Sequence, residues 1–146
     1  MIIKKTALLI LAAVAVSLGI AALGYFKATP GAKSGATSGA KIEITPVKYD
    51  FGNIQYGQIV NYDFTVKNAG NEILKIKRVA TSCSCTTAKV SLEKISPQET
   101  ATLSVRYDSG AMGSAHGKGK QERIIYVRSN DALTPQIEVM IYANVQ

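Results

Sequence analysis

From residue 41 onward, apolar and polar side chains alternate along short segments of the chain. The clearest case is QIVNYDFTVKN at 58–68, where apolar residues occupy every second position from Val60 to Val66. A period of two predicts a β-strand with one buried face and one solvent face. The same alternation occurs in EILKIKRVA, TATLSVRYD, ERIIYVRS and QIEVMIYANV, and no stretch of this region has convincing helical periodicity.

Turn sequences separate these segments. They are NAGN at 68–71, SPQ at 96–98, the glycine-rich SGAMGSAHGKGK at 109–120 and SNDALTP at 129–135. With KIEITPVKYDF at the start and a short strand around 88–92, the pattern predicts seven strands. We therefore predict an all-β domain at 41–146, a seven-stranded immunoglobulin-like antiparallel sandwich.

The N-terminal segment has a different pattern, because no charged residue occurs from Ala7 to Phe26. Twenty helical residues extend about 30 Å, which matches the hydrocarbon core of a bilayer. Residues 1–26 are therefore predicted to form a single transmembrane helix that anchors the protein in the cell membrane. The alternative is a signal peptide cleaved near Gly24, which would make the protein secreted. Residues 27–40, KATPGAKSGATSGA, contain no large apolar side chain and are predicted to be a flexible linker.

The orientation of the predicted anchor rests on its short N-terminal tail, because Lys4 and Lys5 before the segment are opposed by Lys27, Lys33 and Lys41 after it. Both cysteines of the chain lie in the C-terminal domain, and paired cysteines suit an oxidising compartment. We expect a single-pass protein whose C-terminal domain is extracytoplasmic, either periplasmic or at the cell surface.

The charge of the chain does not indicate a nucleic-acid binder. The net charge is +7, but residues 41–146 carry only 13 basic residues against all 10 acidic ones. These charges are interspersed and form no arginine-rich run, so no nucleic-acid partner is expected.

Six short motifs occur in an order that resembles a bacterial immunoglobulin-like family, domain of unknown function family 1573. They are YDFGNIQYG, VKNAGN, SCSCT, ISP, VRYD and SND, and the resemblance covers essentially all of residues 43–145. The family is similar in fold to Hydin and major-sperm-protein modules, so the resemblance implies fold and export. This chain departs from the usual family pattern at Ser84 and Gln98, where the family usually has glycine.

The two cysteines, Cys83 and Cys85, lie in the connection after the third predicted strand. In a seven-strand topology this connection shares one pole with loop 109–120, which contains Met112 and His116. The first strand, and with it the linker, begins at the opposite pole. Residues two apart on a strand lie about 6.6 Å apart, at the edge of what a disulfide accepts, so a Cys83–Cys85 bond needs a bent backbone.

Three interpretations of the cysteine pair remain open. The first is a local disulfide or buried pair with a structural role. The second is a soft-metal site for copper or zinc, with Cys83 and Cys85 as ligands and His116 or Met112 completing the coordination. The third is thiol exchange, which needs a basic neighbour to stabilise a thiolate, and Lys89 is the nearby residue of that kind.

No catalytic motif is apparent in the sequence. His116 is the single histidine, in a glycine-rich loop without an evident orienting partner, and no phosphate loop, zinc-protease helix or dinucleotide fingerprint occurs. We therefore predict a protein that is not an enzyme and needs no cofactor. It is interpreted as a membrane-tethered extracytoplasmic module that binds an unidentified envelope protein, and the alternative is a thiol-based metal-binding or redox protein.

Overall fold

The computed structural model describes residues 39–146, which form nine β-strands and one short helix. The strands are β1 (Ile42–Thr45), β2 (Lys48–Ile54), β3 (Ile59–Asn68), β4 (Leu74–Thr81), β5 (Thr86–Val90), β6 (Lys94–Ile95), β7 (Thr100–Asp108), β8 (Gly119–Ser129) and β9 (Gln136–Val145), and the helix is α1 (Ser114–Gly117). The predicted anchor at 1–26 and nearly all of the predicted linker at 27–40 lie outside the described residues. Among residues 39–146, no helix has the length and apolar character needed to cross a membrane.

Two sheets make up the domain. Sheet I has the strand order β1-β3-β7-β5, and sheet II has the order β2-β9-β8-β4-β6. The predicted two-sheet sandwich of immunoglobulin type is therefore confirmed. Two details of the prediction are wrong: there are nine strands rather than seven, and β2 runs parallel to β9 in an otherwise antiparallel arrangement.

The extra strands come from a change of sheet and from one very short element. The segment predicted as the first strand is divided at Pro46, which has no N–H to continue a ladder. The chain passes there from sheet I, where β1 pairs with β3, to sheet II, where β2 pairs with β9. The two-residue β6 pairs with Leu74 and Lys75, and it is too short to show any periodicity in the sequence.

The core forms from the apolar positions of the alternating segments, which were predicted to be buried. Phe64 is 1% exposed and Leu103 is 0% exposed, and they pair across β3 and β7. Residues of sheet II such as Ile125, Val127 and Val139 meet them from the other layer of the sandwich. The buried face of these strands therefore agrees with the prediction.

The two ends of the domain differ in what they contain, and we name them the network pole and the cysteine pole. At the network pole, β1 begins with Ile42, which pairs with Asn68 at the end of β3. At the cysteine pole, β3 begins with Ile59, which pairs with Asp108, and Asp108 N donates to Cys85 O at 2.9 Å. The prediction that the first strand begins at the pole opposite the cysteines is thus confirmed.

The network pole is organised by two buried polar side chains. The amide nitrogen of Asn68 donates to Glu72 O at 2.7 Å and to Ile95 O at 2.9 Å, and its oxygen accepts from Gly70 N at 3.0 Å. Asn68 therefore joins the turn after β3 to the segment that enters β7.

Asp131 is the second buried polar side chain of this pole, and it joins the start of β1 to the connection between β8 and β9. Its carboxylate accepts hydrogen bonds from three backbone N–H groups, those of Ile42 at 3.0 Å, Leu133 at 2.9 Å and Thr134 at 3.0 Å. Burial is the largest single influence and raises the pKa of Asp131, but these donors and the charge of Lys41 together lower the pKa below its ordinary value. The carboxylate is therefore held in its charged form.

Candidate functional site

The cysteine pair lies in a tight turn between β4 and β5. The hydroxyl of Thr81, the last residue of β4, lies 3.0 Å from Cys83 O and 2.9 Å from Thr86 O, and so ties the turn to the first residue of β5. Ser84 is exposed and does not have the positive φ that would favour glycine. The turn thus forms with serine at the position where the family resemblance expects glycine.

Cys83 and Cys85 are joined by a disulfide, and their Cα atoms lie 5.3 Å apart. This separation is shorter than the roughly 6.6 Å of an extended strand, because the backbone bends between them. Cys85 is buried, with 2% exposure, whereas Cys83 is only half-buried. The hydroxyl of Thr86 lies 3.6 Å from Cys83 Sγ and 3.8 Å from Cys85 Sγ.

A guanidinium group lies directly beside the disulfide. Arg123 on β8 directs its Nε to Cys85 Sγ at 3.0 Å. Its two terminal nitrogens donate to Glu122 O at 2.7 Å and to the Gln121 side chain. The group is therefore held from two sides with its positive charge against one of the two sulfurs.

The aromatic ring of Tyr107 forms the inner wall of this site. Arg123 Cζ lies 5.6 Å from the ring centroid, a distance compatible with a cation–π contact. Burial, opposed by the charge of Arg123 and reinforced by that of Asp108, raises the pKa of Tyr107. The phenol therefore stays neutral, and its hydroxyl has no hydrogen-bond partner within residues 39–146.

Met112 and His116 lie on the β7–β8 connection at the same pole, as predicted. This connection is attached through Ser109, whose hydroxyl lies 3.0 Å from both Gln55 O and Gln58 O. His116 is exposed on α1, and Met112 is 41% exposed. In the part of the chain that the structure describes, no three side chains among His, Cys, Asp and Glu form a group that could hold a metal ion. A copper or zinc site with these ligands stays a prediction.

Arg123 is the site residue that the sequence did not reveal, because Lys89 was expected to be the basic neighbour. Lys89 is exposed on β5, and the residue in contact with sulfur is Arg123. A signal was present in the alternation of ERIIYVRS. Arg123 has the same phase as Ile125 and Val127, so it occupies an inward-facing position where an unpaired charge is costly.

The sequence matches the model of one protein family, described as protein of unknown function (DUF1573), over residues 42–145. The chain belongs to this family. A comparison with proteins of curated function gave no match.

Solved structures similar to this DUF1573 member share its fold. A protein of unknown function from Porphyromonas gingivalis W83 is 22% identical with a TM-score of 0.66, and the match covers 75% of this chain and 48% of that one. The PapD-like domain 7 of human CEP192 is 11% identical with a TM-score of 0.54, covering 73% and 85% of the two chains. The YadV chaperone is 14% identical with a TM-score of 0.53, covering 72% and 52%. This chain thus spans about half the length of the Porphyromonas protein, and at these identities the likeness establishes the fold alone.

Proposed function

We propose that this protein is a noncatalytic, extracytoplasmic immunoglobulin-like module, tethered to the membrane through its N-terminal segment, that binds an extended acidic segment of another envelope protein. The observation that carries the proposal is an open strand edge on β5. Among the described residues, β5 forms a ladder with β7 alone. Its outer edge is therefore free to accept a further strand, a common mode of peptide recognition.

The hydrogen bonds of β5 identify which backbone groups are free. At the two ends of the ladder, Asp108 N donates to Cys85 O at 2.9 Å and Ser91 N donates to Thr102 O at 2.8 Å. Hydrogen-bonded and non-hydrogen-bonded pairs alternate along an antiparallel ladder. The odd-numbered residues of β5 thus direct their backbone groups to β7, and those of Ala88 and Val90 point outward.

The outer edge of β5 faces a slot between the two sheets. A cavity of about 190 Å³ lies between β4 and β5, and its lining residues are Ile76, Lys77, Arg78, Val79, Ala88, Lys89, Val90 and Glu93. The slot ends at the cysteine pole with the hydrogen bond from Thr81 to Thr86 O and at the other end with the hydrogen bond from Ile76 N to Glu93 O. On the opposite side of the sandwich the chain itself connects the two sheets, where it passes from β1 to β2.

The charge around this slot favours an acidic ligand. The positively charged residues Lys77, Arg78 and Lys89 are exposed there, and Glu93 is the one acidic residue among those that line the slot. The ion pairs found among residues 39–146 are Lys41–Glu43 and Arg106–Asp108, so the three cations at the slot have no carboxylate partner there. An extended segment with acidic side chains would pair with β5 through its backbone and with these cations through its side chains.

The membrane tether and the export of the domain are supported by the sequence. The uncharged segment from Ala7 to Phe26 follows Lys4 and Lys5, and the small polar residues of the linker separate it from the folded domain. Extraction of bacterial membranes with alkaline carbonate should leave the full chain in the pellet. Protease added to spheroplasts should then degrade the domain, whereas protection from protease would contradict export.

The partner is tested with a photo-crosslinking amino acid placed at exposed Thr87 on β5 of the full chain in living cells. We expect one discrete adduct whose cross-linked peptide contains Asp or Glu residues. The same probe at Thr65, exposed on β3 of the same sheet, is the control and should give no such adduct.

Two second-site changes separate binding from folding. Ala88→Pro removes an outward N–H that takes no part in the β5–β7 ladder, so the fold should persist and the adduct should disappear. Lys89→Glu reverses one charge at the slot and should weaken the adduct, whereas Lys120→Glu on β8 should not. The proposal is wrong if Thr87 yields no adduct, or if the adduct persists in both the Ala88→Pro and Lys89→Glu variants.

A further inference from the structure

The Cys83–Cys85 disulfide contributes little to the stability of the fold by its connectivity. Its two cysteines are separated by one residue, so the bond closes a minimal loop. The entropy that a disulfide removes from the unfolded chain increases with loop length, so closing a loop this short removes little of it. Loop closure therefore does not explain why the two cysteines are bonded.

The two sulfurs have different environments. Cys83 is half-buried, whereas Cys85 is 2% exposed. The guanidinium of Arg123 contacts Cys85 Sγ at 3.0 Å, and no such contact to Cys83 is found within the described residues. The more exposed cysteine therefore lacks the charged contact, and the buried cysteine has it.

Thiol–disulfide exchange has requirements that match this division. The incoming thiolate attacks one sulfur, and the other sulfur leaves as a thiolate. The reaction is faster when the leaving thiolate is stabilised, and a neighbouring arginine stabilises a thiolate. We propose that the Cys83–Cys85 disulfide accepts electrons from a protein dithiol, with attack at Cys83 and departure of Cys85 as a thiolate held by Arg123.

The exchange balances in two steps. In the first, a thiolate of the partner dithiol forms a bond to Cys83 Sγ while the Cys83–Cys85 bond breaks, and its electron pair stays on Cys85 Sγ. In the second, the other partner thiol loses its proton and attacks the partner sulfur of the mixed disulfide, which releases Cys83 as a thiolate that takes up a proton. The partner ends as a disulfide and this chain as a dithiol, with two electrons transferred and no further oxidant or reductant.

Arg123 is held in this position by contacts that are independent of the disulfide. Its hydrogen bonds to Glu122 O and to the Gln121 side chain lie within β8 and do not involve the disulfide. The Thr86 hydroxyl, within 4 Å of both sulfurs, provides a second donor to the thiolate on Cys85. The site is therefore already arranged around the product of the first step.

The site of attack is tested on the unmodified full chain, so the result does not depend on any variant. The oxidised protein is treated briefly with glutathione, quenched in acid, labelled with maleimide and digested for mass spectrometry. We expect glutathione on Cys83 and maleimide on Cys85 in at least about a tenfold excess over the reverse. Glutathione found equally on both cysteines, or mainly on Cys85, would overturn the assignment.

The role of Arg123 is tested by the rate at which dithiothreitol reduces the disulfide of the full chain. Arg123→Gln should slow reduction about tenfold, and Arg123→Lys should recover part of the rate because it retains the charge. Arg128→Gln removes the same side chain from the exposed face of the same strand and should leave the rate unchanged. Equal rates for Arg123→Gln and the unchanged protein would overturn the proposal.

A spectroscopic measurement separates stabilisation of the thiolate from an effect on folding. In the Cys83→Ser chain, ultraviolet thiolate absorbance should develop at lower pH than in the same chain that also carries Arg123→Gln. Coincident titration curves would exclude contact between the charge and the thiolate. Because none of these measurements involves the β5 edge, their failure and the failure of the proposed binding function are distinguishable.

Discussion

The two poles of the domain use polar side chains in opposite ways. At the network pole, Asn68 and Asp131 are buried, and their polar atoms have backbone partners at hydrogen-bond distance. At the cysteine pole, the charge of Arg123 is directed at a sulfur atom, and the buried hydroxyl of Tyr107 has no partner among residues 39–146. The difference indicates that the network pole contributes stability, whereas the cysteine pole retains groups whose arrangement suits reactivity.

The largest expected effect is the loss of Asn68. In Asn68→Ala, the carbonyls of Glu72 and Ile95 and the N–H of Gly70 lose their partner in a buried site, and we expect a loss of about 3 to 5 kcal/mol in the free energy of unfolding. Chemical denaturation measures this free energy. The control Asn61→Ala, at an exposed position on the same strand, should change the free energy of unfolding little. A loss under about 1 kcal/mol would remove the distinction between the poles.

Removal of the Asp131 carboxylate comes next. Asp131→Ala leaves three backbone N–H groups without an acceptor, and we expect a loss of about 2 to 4 kcal/mol at neutral pH. Exposed Asp63→Ala is the matched control and should have little effect.

The same carboxylate predicts a dependence of stability on pH. Because its pKa is lower in the folded state, the unfolded chain takes up the proton first on acidification. Its stabilising contribution is complete above the ordinary Asp value of 3.8 and is lost as the pH falls through the lower folded value. Across this range, the free energy of unfolding should fall less steeply with decreasing pH in Asp131→Ala than in the unchanged protein. Parallel curves would contradict the assignment.

At the cysteine pole, loss of the disulfide should have a smaller effect. We expect the Cys83→Ser, Cys85→Ser double variant to lose about 1 to 2 kcal/mol, since the bond closes a minimal loop. Thermal unfolding of the oxidised and reduced unchanged protein gives an independent value. A loss equal to that of Asn68→Ala would mean that the disulfide is a structural staple after all.

The smallest expected effect has the opposite sign and lies at the network pole. Gln98 has a φ of 65°, in the left-handed region, and its N–H donates to Asn68 O at 2.9 Å. Gln98→Gly should stabilise the protein by about 0.5 to 1 kcal/mol, because relief of the strained backbone exceeds the added flexibility of the unfolded chain. Gln98→Ala retains the strain and should give no gain. A destabilised glycine variant would show that the side chain matters more than the backbone.

The sequence predicted the sandwich well because one face of most strands is buried. Phe64 and Leu103 were assigned to the core by alternation alone, and both are fully buried. Alternation reports which face of a strand is buried, but it does not report the sheet to which the strand belongs. The division at Pro46 and the parallel pairing of β2 with β9 were therefore missed.

The candidate site was only partly predictable. The shared pole of the cysteines, Met112 and His116 followed from the order of the strands. The contact between Arg123 and Cys85 joins residues 38 positions apart, through the pairing of β4 with β8. An inward-facing arginine was visible in the pattern, but its partner was not.

By itself, the sequence determined the strand faces, the family and the presence of two cysteines in one turn, because these depend on local periodicity and residue identity. Tertiary structure alone decided which of the two sulfurs is buried, which of them meets a positive charge and which backbone groups of β5 remain unpaired. The physical reason is that these properties arise where distant strands meet. A short-range pattern specifies what each strand buries, whereas burial of one sulfur and its contact with Arg123 depend on the packing of all the strands around them.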